Sequence, residues 1–169
     1  MDYDVHRIRA GEWPQYRELR LEALQDSPLA FVEQYDESLA QPDRFWQDRV
    51  DRSAAGATSG MFVAVHADAF VGKASCFVEQ DITEFVSVHV VGVYVTPRFR
   101  GTGVAEAVVT AAIRFAQDEA GADRVRLFVT ENNERAAAFY RRLGFAPTGV
   151  TMPYPPDPTH AEHEMVYKS

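Results

Sequence analysis

Val93-Tyr94-Val95-Thr96-Pro97-Arg98-Phe99-Arg100-Gly101-Thr102-Gly103-Val104-Ala105 is the stretch that decides the fold class. A β-branched run stops at Pro97, which cannot donate to a ladder. Gly101 and Gly103 allow a tight turn, and a helical pattern then begins at once, with Val104, Val108, Ala111, Ala112 and Phe115 on one face and Gly121 as its stop. A strand–turn–helix of this kind presents unpaired backbone N–H groups in the positive end of a helix dipole, which suits a phosphate or pyrophosphate. The glycines matter because a Cβ would hold an anion away from the backbone. Arg98 and Arg100 add positive charge. Glu106 stands where a dinucleotide fingerprint needs its third glycine, and the Gly-Lys-Ser/Thr ending of a Walker loop is missing.

Working outward, residues 84–96 read as a strand rich in valine, preceded by strands over 61–66 and 70–80 around a turn at 66–69; the three form an antiparallel meander. Residues 3–9 give a first strand. Residues 12–24 give a helix with Tyr16, Leu19, Leu21, Ala23 and Leu24 facing inward. A second helix starts at Pro42 and buries Phe45, Trp46 and Val50; residues 53–60 are a loop. Downstream come a strand over 124–130, a helix over 133–143, a strand over 145–151, a proline-rich loop over 153–158 and a last strand over 162–168. Cys76 alternates with Ala74 and Val78 and reads as a buried small hydrophobe. The fold class is α/β, helices and strands mixed around one sheet.

A chain of 169 residues suits a single domain over 1–169. Its 17 basic and 25 acidic residues argue against nucleic-acid binding, which needs a basic footprint, and are compatible with steering a cationic amine inward. The first residues carry no apolar h-region, and no run approaches the ~20 apolar residues of a membrane span, so a cytoplasmic protein without membrane contact is expected. A homodimer is compatible with the sequence.

Arg98 to Gly103 resembles the Gln/Arg-x-x-Gly-x-Gly/Ala pyrophosphate loop of the GNAT superfamily of N-acetyltransferases. A second match follows in Asn133, Ala136, Phe139, Tyr140 and Leu143-Gly144-Phe145, and Leu19 to Leu24 looks like the family's first helix. The resemblance implies a mixed sheet of about seven strands, splayed between the fourth and fifth, flanked by about four helices. It implies acetyl-CoA as co-substrate and a primary amine as acceptor. Val93, Tyr94 and Val95 would meet the pantetheine arm. Backbone amides of Arg100, Gly101, Thr102, Gly103, Val104 and Ala105 would hold the pyrophosphate, with Arg98 beside them. Asn133, Ala136 and Tyr140 would contact the cofactor. A small-molecule acceptor is expected, with a peptide acceptor or a degenerate acyl-CoA-binding module as alternatives.

Acetylation of an amine needs a neutral nucleophile and a proton for the departing thiolate. Tyr140, seven residues after Asn133, is the candidate acid. His89 is the candidate base: an imidazole near pKa ~6.5 accepts a proton at neutral pH, and alternation places it on one strand face with Val91, Val93 and Val95. It stands where many relatives carry a glutamate; Glu79 and Glu84 are the carboxylate fallbacks. His160 and His163 would point to opposite faces of a strand, so no metal is expected. Tyr154 and its flanking prolines would shape the acceptor site by the same resemblance.

Overall fold

A computed structural model describes residues 2–80 and 84–168. In chain order the elements are β1 (Asp4–Arg7), α1 (Trp13–Asp26), α2 (Tyr35–Leu39), α3 (Asp43–Ala54), β2 (Ser59–His66), β3 (Ala69–Val78), β4 (Ser87–Val95), α4 (Val104–Asp118), β5 (Arg124–Thr130), α5 (Glu134–Leu143), β6 (Phe145–Tyr154) and β7 (Asp157–Tyr167). Single 3₁₀ turns follow α1 and β4. The strands form one seven-stranded mixed sheet in the order β1-β2-β3-β4-β5-β7-β6. Only β4 and β5 run parallel; the other neighbours are antiparallel.

The sheet is covered on both faces. On one, Val88, Val90, Leu127 and Val129 pack under Val104, Val108 and Ala112 of α4 and Tyr140 of α5. On the other, Met61, Val63 and Tyr94 pack under Tyr16 and Leu19 of α1 and Trp46 and Val50 of α3. Gly72 explains how closely α4 sits: a Cβ there would lie 2.4 Å from Val104 Cγ1. Overpacking at such a contact costs ~1–3 kcal/mol.

Several expectations are corrected. Residues 153–158 are not a loop, because β6 runs to Tyr154 and β7 starts at Asp157, leaving a two-residue turn. Pro147 and Pro153 are tolerated because β6 is an edge strand. The segment 53–60 is shorter as a loop than its composition implies, since α3 extends to Ala54 and β2 begins at Ser59. Pro42 is the N-cap of α3 rather than its first residue, and the short α2 was not foreseen. β4 begins at Ser87, which leaves Glu84 outside it and exposed. Cys76 is buried as expected, and burial pushes its thiol up to about 12.

Two irregularities in the sheet matter for the site. First, β4 and β5 pair only at Ser87↔Arg124, Val88↔Val125 and His89↔Arg126; beyond that the strands part. The closed end is clamped by Arg126, whose guanidinium donates to both carboxylate oxygens of Glu79 (2.7 and 2.6 Å) and to Glu164 (2.6 Å). Second, the β3–β4 register jumps: Ser75 faces Val91 but Lys73 faces Tyr94, so β4 holds one extra residue at Gly92-Val93. Gly92 takes a positive φ of 62° there, a bulge conformation that favours glycine.

Candidate active site

The turn into α4 is built as its sequence requires. Gly101 and Gly103 have φ of +76° and +91°, and Thr102 Oγ1 donates to the Phe99 carbonyl. The Arg100 N–H bonds back to Pro97 and that of Ala107 to Gly103. Between them the N–H groups of residues 101–106 have no acceptor among the described residues. Such a run of free N–H groups at a helix start suits an anion, and Arg100, expected among them, is not one of them because its amide is consumed by the preceding 3₁₀ turn. The Arg100 side chain also turns away. It donates to the Val95 carbonyl (3.0 Å) and to Asp26 (2.6 Å), and this bond is the main reason the Asp26 carboxyl lies below its usual range. Arg98 is exposed, its guanidinium over the Phe99 ring.

The cradle opens into a cavity of about 780 Å³ lined by Val93, Val95, Gly101, Gly103, Asn133, Ala136 and Tyr140. A second cavity, about 660 Å³, shares Val93, Asn133, Ala136 and Tyr140 with the first and adds Val90 to Gly92 and Leu127 to Thr130 from the parted strands. The two flank the gap between β4 and β5. Asn133 is not the first residue of α5 but its N-cap: its Oδ1 accepts from the Ala136 N–H (3.1 Å), leaving its amide group free to donate. Tyr140 is buried, and burial raises its phenol above the ordinary value, so it stays protonated. Tyr94 lines the first cavity through its strand; its hydroxyl points away, donating to Glu22 (3.2 Å) and Asp26 (3.3 Å).

A third cavity, about 610 Å³, meets the second along Val90, Val91, Gly92, Phe128, Tyr154 and Glu162. His89 lines it, between the rings of Phe77 and Phe128 (centroids at 5.3 and 5.5 Å). Desolvation lowers the imidazole pKa, Glu79 opposes that and Arg126 adds to it, so the ring is neutral at pH 7. Its expected face is wrong in part. Val91 shares the side of His89, but the extra residue at Gly92-Val93 resets the alternation, and Val93 and Val95 pack on the opposite side, with α4. A period-two argument cannot see a bulge.

Of the carboxylate fallbacks, Glu79 is held by Arg126 and Glu84 lies outside these cavities. The third cavity instead contains Glu162, half-buried and with its pKa raised by burial, and a basic group formed by Arg20, Arg49 and Lys73. None of these was found from the sequence. A lysine between glycine and alanine in a strand was the only local signal, and it was passed over. His160 is engaged by Glu131, Asn132 and Asp157, and no cluster fit for a metal occurs among the described residues. Tyr154 is buried and donates to the Leu29 carbonyl, pinning the hairpin tip to the loop after α1.

The sequence profile of the acetyltransferase (GNAT) family matches residues 6–145. A stretch of 59 residues is 44% identical to mycothiol acetyltransferase from Salinispora tropica; it covers 35% of this chain and 19% of that protein, so the match spans about a fifth of the relative's length. Among solved structures, a GNAT-family acetyltransferase from Streptococcus pneumoniae superposes with a TM-score of 0.77 at 14% identity, covering 98% of both chains. The PaiA N-acetyltransferase of Thermoplasma acidophilum, solved with coenzyme A, superposes with a TM-score of 0.75 at 14% identity over 100% of both chains.

Proposed function

The chain belongs to the acetyltransferase (GNAT) family, and on that footing we propose that it moves the acetyl group of acetyl-CoA to the primary amine of a small acceptor, by direct attack in a ternary complex. The observation that carries the reading is the continuous path from the unpaired N–H groups at the start of α4, past Asn133 and Tyr140, to the gap between β4 and β5. A pyrophosphate seated at the first would leave an extended thiol arm lying along the second. The relatives, acetyltransferases of which one was solved with coenzyme A, support it.

The nitrogen attacks the thioester carbonyl, the C–S bond breaks, Tyr140 gives its proton to the departing thiolate, and the proton shed by the acylated nitrogen returns the phenolate to phenol through water. Burial raises the phenol, so Tyr140 holds its proton until the thiolate departs, and the transfer runs against the ordinary pKa values, ~10 for a phenol and ~8.5 for a thiol. An aliphatic ammonium near ~10 must lose a proton first; neutral His89 accepts it, directly or through water. The test is thiol release from acetyl-CoA against a panel of amines, with mass detection of product. Release that requires an amine and yields its N-acetyl form is expected. Tight acetyl-CoA binding with no release for any amine would make the chain an acyl-CoA-binding module instead.

A further inference from the structure

Lys73 lies in the middle of β3 with 2% of its surface exposed and, among the described residues, no carboxylate bonded to it. Its Nζ donates to the Gly92 carbonyl (2.7 Å) and to Ser75 Oγ (3.4 Å). A lysine this deep is ordinarily paired. Burial holds it well below the usual lysine range, and the charges of Arg20 and Arg49 push the same way. Both arginines share one carboxylate: Arg20 bonds Glu33 (3.2 Å), and Arg49 bonds both of its oxygens. Arg49 also donates to the Tyr16 hydroxyl (3.4 Å), and Lys73 Nζ is 6.0 Å from that ring. Arg20 Nε is buried without a hydrogen-bond partner among the described residues. Two guanidinium groups and the buried amine of Lys73 thus share a wall of the third cavity with Glu33, and Arg52 and Glu162 line the same cavity.

We propose that this cluster seats an anionic group of the acceptor, which is therefore a zwitterion: a primary amine with a carboxylate a few bonds away, as in an α-amino acid. The inference rests on the transferase reading and narrows its acceptor. The short separation follows from Gly92. This residue belongs to both the second and third cavities, where thioester and acceptor would meet, and Lys73 is bonded to its carbonyl. An anion reaching Lys73 is therefore close to the reacting nitrogen. Glu162 and the neutral His89 line the same cavity and suit the ammonium end. The net charge of −8 is that of the whole surface and does not describe this pocket.

The experiment compares matched sets (an α-amino acid, its amide and the simple amine lacking the carboxylate) in two measurements. Calorimetry reads binding to the protein in the presence of coenzyme A, and thiol release reads transfer. The amino acid should exceed its amide and amine about tenfold or more in affinity, the size of one charge-assisted hydrogen bond. Lys73→Met and Arg49→Gln should each reduce that preference below about twofold without weakening coenzyme A; two variants guard against one failing to fold. Preferential binding lost in the variants upholds the seat even where no acetyl group moves, in which case the transferase reading alone fails. Transfer to simple amines as fast as to amino acids overturns the seat and leaves the transferase reading standing. Equal binding of acid and amide overturns it as well.

Discussion

The first and third cavities are built from different parts of the polypeptide. The first is a backbone site: free N–H groups at a helix start and the edge of a parted strand, with Arg100, one of the arginines along it, tied to Asp26. The third is a side-chain site, where Lys73, Arg20, Arg49, Glu33, Glu162 and His89 converge from five elements and connecting segments. A backbone site needs glycines at fixed spacing and tolerates little else. A side-chain site is assembled by tertiary packing and leaves no pattern along the chain. The difference teaches that one half should fail through conformation and the other through chemistry.

Tyr140, which lines the first two cavities, should give the largest effect. Tyr140→Phe keeps the ring packed against Phe145 (5.7 Å) and deletes the proton, so turnover should fall ~10²–10⁴-fold with acetyl-CoA affinity nearly unchanged. Rapid-mix turnover beside calorimetric binding makes the comparison. A turnover within about twofold of the parent would reduce the residue to packing.

The backbone half is broken by Gly101→Val. An added Cβ meets nothing within 4 Å, so the fold does not clash; the residue is forced into a left-handed conformation costing ~1–2 kcal/mol and stands where the anion approaches. Acetyl-CoA affinity should drop about tenfold or more. A thermal shift with acetyl-CoA equal to the parent's would sink the cradle assignment.

For the side-chain half, His89→Gln should slow kcat/KM about tenfold, beneath the usual worth of a positioned base because water can substitute. The imidazole pKa is lowered, so activity should hold as pH falls through ~6.5 and decline only below it, as the ring takes up its proton. The variant should lose that acidic limb and keep its response to acetyl-CoA. Two acceptors of different basicity separate the ring from the amine: a limb that tracks the acceptor and survives the substitution removes His89 from the chemistry.

The same division explains what was legible in the sequence. Glycine spacing and helical periodicity located the turn and α4, and the family resemblance picked out Asn133 and Tyr140 on α5, because each signal is contained within a short stretch of chain. The core face of α1 was equally clear. The ends of the hairpin were not, because prolines read as a loop when no sheet edge is in view. Lys73 and Glu162 were missed because their meaning depends on distant partners. His89 was found for its chemistry, with a face inferred by alternation that the bulge interrupts.

That bulge also fixes how the strand can be inherited. Val90 and Val95 reach the same core although they are five positions apart, an odd interval that only an inserted residue permits. Losing a single codon at Gly92 or Val93 together with the bulge would make the interval even, and strict alternation would then leave every later residue on its present side. Flattening the bulge with its residue retained would instead swing Tyr94 toward α4 and Val95 toward α1, undoing the Tyr94 links to Glu22 and Asp26. Length and bulge are therefore coupled: lineages of this chain can lose the extra residue only along with the bulge that Gly92 builds.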